Sequence, residues 1–161
     1  MNIEIKEAPV EDKSVIRNLL ELYIYDLTEF GPYDVDSHGL YGYKHLDYYW
    51  IEEGRYPFIV YVDNKIAGFV LIRRDSLDNI NEYTYSIAEF FIMKRYRVQG
   101  VGKKVAFHIF NHFKGVWEVA EMKSNIPAQN FWRRVINEFT HGDYEEISKS
   151  NWNGPIQRFT S

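Results

Sequence analysis

The run Phe90-Phe91-Ile92-Met93-Lys94-Arg95-Tyr96-Arg97-Val98-Gln99-Gly100-Val101-Gly102-Lys103 constrains this chain more than any other segment. It reads as a β-strand that empties through a basic, glycine-bearing loop into a helix. The β-formers from Tyr83 to Met93 supply the strand. Val101, Val105, Ile109 and Phe113, with Ala106 and Phe110 beside them, give the following helix, Gly100 to Lys114, one buried face. Glycines lack a Cβ and let backbone N–H groups approach an anion closely, and a helix start adds its positive dipole end, so the loop has the make-up of a phosphate or pyrophosphate cradle. Arg95, Arg97, Lys103 and Lys104 reinforce the sign. The common nucleotide loops fit badly. A P-loop needs glycine where Arg97 sits and Ser or Thr where Lys104 sits, and the dinucleotide fingerprint needs glycine at Val105. A basic glycine loop by itself is also an ordinary strand-to-helix turn, so the rest of the chain has to decide.

A length of 161 residues fits one domain, and 45% hydrophobic against 26% charged residues is enough to bury a core. The heavy aromatic load of 13 Tyr, 11 Phe and 4 Trp points to a lined core or cleft. A formal charge of -4 offers no global positive field for a polyanion, which excludes nucleic acid as the main partner. With no cysteine in the chain, thiolate catalysis, a disulfide framework and sulfur-ligated metal sites are excluded. Met1 to Lys6 lacks the basic and apolar regions of a signal peptide, and no apolar run reaches membrane-spanning length, so a cytoplasmic protein without membrane contact is expected. The aromatic surplus and sheet edges also fit a homodimer.

Along the chain, a strand over residues 3 to 8 precedes a helix opening at Glu11-Asp12-Lys13-Ser14 and running to Thr28, with Ile16, Leu19, Leu20, Tyr23 and Ile24 at helical spacing. Gly31 to Pro57 is irregular and tyrosine-rich, with one short helix over His45 to Glu53. Phe58 to Val62 and Ile66 to Ile72 form a hairpin about Asp63-Asn64. A polar loop follows from Asp75 to Glu82. After the glycine-loop helix, which Gly115 caps, come a strand from Val116 to Met122, a helix from Ala128 to Phe139, and closing strands around Tyr144 to Ile147 and Ile156 to Phe159. The order predicts an α/β chain with a mixed sheet flanked by helices, in one domain over 1–161.

Arg97-Val98-Gln99-Gly100-Val101-Gly102, set between strand and helix, resembles the acyl-CoA pyrophosphate loop of the GNAT (GCN5-related) N-acetyltransferase superfamily. Trp117-Glu118-Val119 on the next strand, followed by Asn125, Ala128, Phe131 and Trp132, resembles that family's second motif at the expected distance. The element order is similar over nearly the whole chain. The resemblance implies a central mixed, mostly antiparallel sheet with a splayed strand pair. It also implies direct attack of a primary amine, on a small molecule or a peptide, on the thioester of acetyl-CoA. By the same resemblance Phe91, Ile92 and Met93 pair with the pantetheine arm, and Arg97, Val98, Gln99, Gly100, Val101, Gly102 and Lys103 hold the pyrophosphate. The alternative is a non-catalytic acyl-CoA-binding or sensing module of the same fold; a nucleotide-phosphate binder would instead bind ATP.

Glu89, the single carboxylate between Asn81-Glu82 and the glycine loop, is the candidate base. Its other reading is a solvated residue or a salt bridge to Arg73 or Arg74. The position where the family carries its acid, a tyrosine, holds Trp132, and indole cannot protonate a thiolate. Tyr144, another tyrosine or water then serves. Trp132 itself packs beside the cofactor arm or fills the core. Asn125 bonds the arm or caps the helix near Ala128. Asp26, Glu29, Asp34 and Asp36 with Tyr33, Tyr41 and Tyr43 form either an acidic, aromatic wall for a cationic amine, where the resemblance puts the acceptor, or a solvated face. His108 and His112 lie one turn apart without a third ligand and read as surface residues; no metal is expected.

Overall fold

The computed structural model describes residues 1–76 and 83–161. Its strands are β1 (Ile3–Glu7), β2 (Arg55–Val62), β3 (Lys65–Ser76), β4 (Tyr83–Ile92), β5 (Val116–Ala120), β6 (Glu145–Ile147) and β7 (Ile156–Thr160). Its α-helices are α1 (Lys13–Leu27), α2 (Tyr48–Ile51), α3 (Val101–His112) and α4 (Ile126–Thr140). The strands form one sheet in the order β1-β2-β3-β4-β5-β7-β6. All neighbours run antiparallel except β4 and β5, which are parallel because α3 carries the chain across between them.

Local chemistry explains the joints. Asp63 and Asn64 both take positive φ, 48° and 63°, as a two-residue hairpin with matching twist requires. Gly68 on β3 has no room for a side chain, since a Cβ there would lie 1.9 Å from the Phe91 carbonyl oxygen. α3 and α4 cover one face of the sheet, where Val105, Ile109, Phe110, Val135 and Ile136 pack on Val60, Val70, Ile72 and Trp117. α1 and α2 cover the other, where Ile16, Leu20 and Tyr49 pack on Ile59, Phe69, Leu71 and Phe91. Each such side chain contributes about 1.5–3 kcal/mol by leaving water.

Two irregularities shape the site. β4 bulges at Ala88, since Leu71 faces Glu89 and the next β3 residue, Ile72, faces Ile87. The extra residue turns Ala88 and Phe91 to the α1 side and leaves Ile87 and Phe90 on the α3 side. Second, β4 and β5 pair only from Thr84↔Val116 to Ser86↔Glu118. Beyond that point they part and open a slot, the splayed pair expected from the resemblance.

Boundaries moved at several elements. β2 starts at Arg55, ahead of the expected Phe58, because β1 stops pairing at Phe58 and the missing N–H of Pro57 interrupts no ladder bond. β3 runs on to Ser76 through the start of the expected polar loop; the remainder of that loop lies outside the described residues. α2 is a single turn, shorter than His45 to Glu53. α3 ends at His112, and Gly115, at φ 145°, opens β5 with its N–H donated to the Ser161 hydroxyl at 3.2 Å. β5 stops at Ala120 instead of Met122.

Candidate active site

The slot between β4 and β5 joins two clefts, of about 650 and 610 Å³, that share Tyr23, Leu27, Phe90, Asn125, Ala128 and Trp132. The second cleft ends at the glycine loop. Gly100, at φ 79°, is the N-cap of α3 and offers no side-chain cap. Among the described residues no N–H from Val98 to Lys103 has a protein acceptor, so the loop presents a row of unmet donors at a positive helix end. Gln99 folds the turn by donating Nε2 to the Arg95 carbonyl at 2.7 Å. Val98 is fully exposed and holds φ 60°, a strained conformation for a β-branched residue. Gly102 faces the Phe131 ring, which a Cβ would meet at 3.1 Å.

Three of the basic side chains at the loop are already engaged. Arg97 donates Nε to the Ile92 carbonyl at 2.6 Å and its guanidinium pairs with Asp26 of α1. Lys94 reaches the same carboxylate at 3.3 Å. Burial pushes the Asp26 carboxyl up, yet these two cations hold it below the usual carboxylate range. Lys103 pairs with Glu138 at 2.5 Å. The unmet backbone N–H groups and Arg134, which lines the second cleft, add to the positive character there.

At the strand end, Met93 spends its N–H on the Ala67 carbonyl at 2.8 Å. With Ile92 opposite Gly68, that bond marks the pair as one whose own polar groups face away from β3. The N–H groups of Ile92 and, by alternation, Phe90 point into the slot, whereas those of Phe91 and Met93 belong to the sheet. Phe90, Phe131 and Trp132 line the slot, with ring centroids 4.9 Å apart between Phe90 and Trp132. Trp132 is buried, fills the α3–α4 core and borders both clefts. Asn125 caps α4 by accepting the Ala128 N–H at 3.1 Å, and it lines both clefts.

The first cleft holds Tyr33, Asp34, Tyr41, Tyr43 and Glu89 together. Asp26 and Glu29 belong to the second cleft, and Asp36 turns back on its own loop, accepting the N–H groups of His38 at 2.8 Å and Leu40 at 3.1 Å. The acidic wall read from the sequence is thus reduced to Asp34. Glu89 makes no ion pair with Arg73, which binds Asp75, or with Arg74, which lies near Glu53. It accepts the Tyr43 hydroxyl at 3.1 Å and faces the Tyr23 hydroxyl. Burial pushes its carboxyl above 4.5, and the two tyrosine hydroxyls oppose that rise.

The structure does not bring Tyr144 to this site. It packs at the edge of the α3–α4 core and lines neither cleft. His108 and His112 stack on each other at 6.1 Å, and no metal-holding cluster exists among the described residues.

Three residues at or beside the clefts were not picked out as site candidates by the sequence. Glu21 of α1 accepts the N–H groups of Tyr41 at 2.8 Å and Gly42 at 3.0 Å, so it holds the tyrosine wall in place. Tyr23 bridges the two clefts; it belongs to an ordinary helical stripe, and no sequence signal marks its hydroxyl. Glu121, just beyond β5, lines the first cleft with 3% of its surface exposed, and burial pushes its carboxyl up to about 8. Its signal was present, since it continues the inward stripe of Trp117 and Val119.

No helix among the described residues is long and apolar enough to cross a membrane. No curated protein matches the sequence. The solved structures provide fold likeness. An acetyltransferase of the GNAT family from Staphylococcus aureus is 16% identical, with a TM-score of 0.66 over 99% of each chain. An acetyltransferase from Thermus thermophilus is 10% identical, with a TM-score of 0.73 over 100% of this chain and 98% of that one. An aminoglycoside acetyltransferase from an uncultured soil metagenomic sample, solved with sisomicin, is 17% identical, with a TM-score of 0.64 over 94% and 95%. The family model for the acetyltransferase (GNAT) family matches residues 20–136, from α1 through the glycine loop into α4. Backed by a match of that extent, the cradle, the splayed strands and the paired clefts place this chain in the GNAT family of acetyltransferases.

Proposed function

We propose that the second cleft takes acetyl-CoA and the first takes a cationic primary amine, on a small molecule or a peptide, so that nitrogen meets thioester where the clefts join. The observation that carries this reading is the row of unmet N–H donors from Val98 to Lys103 at one end of a cleft whose other end opens onto Glu89.

The pyrophosphate sits on the loop N–H groups, and the pantetheine arm runs along Phe90 and Ile92, whose N–H groups face the slot. One of them polarises the thioester carbonyl as charge develops on its oxygen. Glu89 removes a proton from the ammonium; its raised pKa brings it toward the operating pH, where a general base works best. Tyr23 and Tyr43 orient that carboxylate. Tyr33, Tyr41 and Tyr43 offer ring faces to a cation, and Asp34 adds charge at the same wall. The likeness to an aminoglycoside acetyltransferase supports an acceptor of this polar, amine-bearing kind.

Calorimetric titration with acetyl-CoA and, separately, with ATP tests the reading on wild type and on Gly100→Glu. A Cβ at Gly100 enters open space, so the added carboxylate projects into the cradle, in a backbone conformation that glycine favours. Acetyl-CoA binds wild type, the variant loses it, and ATP does not compete. Failure of wild type to bind acetyl-CoA would overturn the assignment.

A further inference from the structure

Trp132 leaves the reaction without the side-chain acid that the leaving thiolate calls for, and Tyr144 is out of reach. Building on the proposed acetyl-CoA reaction, we infer that Glu121 is the general acid that protonates the departing coenzyme A sulfur.

Glu89 on β4 and Glu121 beyond β5 each lie three residues past the last pair, Ser86↔Glu118, and both line the first cleft. Glu121 shares the wall of the first cleft with Asn125, Ala128 and Trp132. Both its carboxyl oxygens are sealed from water and have no hydrogen-bond partner among the described residues. An ionised carboxylate in such a place costs several kcal/mol, so the group holds its proton. Gln157 points the same way. Its Nε2 donates to Glu146 at 3.1 Å, which leaves a buried Oε1 without a donor, and a protonated Glu121 supplies one.

The groups facing this carboxyl are Arg133 from α4, Glu146 from β6 and Gln157 from β7. Arg133 is neutralised by Glu146 through bonds of 2.5 and 3.2 Å, so little positive charge is left to ionise Glu121. The loop is pinned as well, with the Trp152 indole donating to the Glu121 carbonyl at 3.1 Å. A pKa near 8 is close to that of a thiol, a good match for proton transfer.

The step balances. Glu89 takes one ammonium proton and passes it to water. The freed amine attacks the thioester carbonyl and the C–S bond breaks. Sulfur receives the Glu121 proton as the carboxyl turns from Gln157 toward the cleft that this residue lines, and Glu121 recovers a proton as the new amide nitrogen loses its second.

The test is steady-state kinetics of Glu121→Gln with acetyl-CoA and an accepted amine, with calorimetric acetyl-CoA binding as the check of fold. The variant binds acetyl-CoA as wild type does, keeps its KM, and loses kcat by about tenfold or more. Wild-type kcat falls above pH 8, and this alkaline limb is absent from Glu121→Gln but kept by Glu121→Asp. Restoring the family's tyrosine, Trp132→Tyr in the Glu121→Gln background, recovers kcat. Full kcat in Glu121→Gln overturns the inference, and so does a loss that Trp132→Tyr leaves unrepaired while the alkaline limb persists. Wild type that fails to bind acetyl-CoA defeats the cofactor assignment instead, which separates the two failures.

Discussion

Replacing Glu121 with Gln should make the protein more stable while making it slower. The carboxyl rises from an ordinary 4.5 to about 8 in the folded chain, so folding favours its protonated form. The sign follows from linkage. Stability from this group is fully present below pH 4.5, falls as pH rises, and is exhausted above pH 8. Each pH unit in that window costs at most about 1.4 kcal/mol, which gives an upper bound of about 3 kcal/mol at pH 7. Relaxation of the buried site around the charge reduces this, and about 2 kcal/mol is the working figure. Gln has nearly the same shape, carries no charge at any pH, and can donate an N–H to the orphaned Oε1 of Gln157. Urea unfolding of both proteins at pH 6, 7, 8 and 9 reads the effect. The advantage of Gln grows from pH 6 to 8 and is flat above, and at pH 7 it corresponds to about 4–8 °C in Tm. A difference that does not vary with pH, or a Gln variant less stable at pH 8, would refute the view of Glu121 as a sealed, proton-holding acid.

Other expectations concern the opposite carboxylate and the loop. Glu89→Gln should lower kcat/KM by about a hundredfold or more while leaving acetyl-CoA affinity intact, because the base acts after the cofactor is seated; an unimpaired variant removes Glu89 from the chemistry. Tyr43→Phe deletes a hydrogen bond that holds the Glu89 carboxyl down, so the acid limb of the kcat/KM profile should move to higher pH, and movement to lower pH would contradict the assigned contact. Val98→Gly should raise stability by about 1 kcal/mol in thermal unfolding, since the side chain is fully exposed and φ of 60° strains it. A lower Tm would show that this loop position carries no strain.

The glycine loop could be read from sequence because its work is local: N–H groups, two glycines and a helix start operate within six residues. The element order and the flanking helices also followed from periodicity, as each stripe of Ile16, Leu19 and Leu20 or of Val105, Ile109 and Phe110 points one way only, whereas the mostly antiparallel, splayed sheet came with the resemblance. The acceptor side was harder, because its residues meet through contacts distant in sequence. Glu21 is fixed to Tyr41 across 20 residues and Tyr43 to Glu89 across 46, and no local pattern encodes either bond. Identity revealed Glu89 as a lone carboxylate in an apolar strand, yet its setting depended on the bulge at Ala88. Without that extra residue strict alternation would put Ile87 on the face of Phe91, whereas Ile87 packs in the α3–α4 core.

Glu121 shows how a charge can mark a site by breaking the pattern that buries it. Trp117 and Val119 are sealed in the core at 0% and 1% exposure, and the next residue in their period-two stripe is a carboxylic acid with 3% exposed. A core selected for stability alone would carry an aliphatic side chain there, free of the cost that the acid incurs as pH rises toward 8. Natural chains tolerate such local conflicts chiefly where function demands them. The same residue lines the first cleft, as Glu89 does, in a chain that carries Trp132 where the resemblance expects the family's acid. Under the inference drawn above, the buried carboxyl and the missing acid have one explanation, in which the cost of burying Glu121 is retained because the departing thiolate needs its proton.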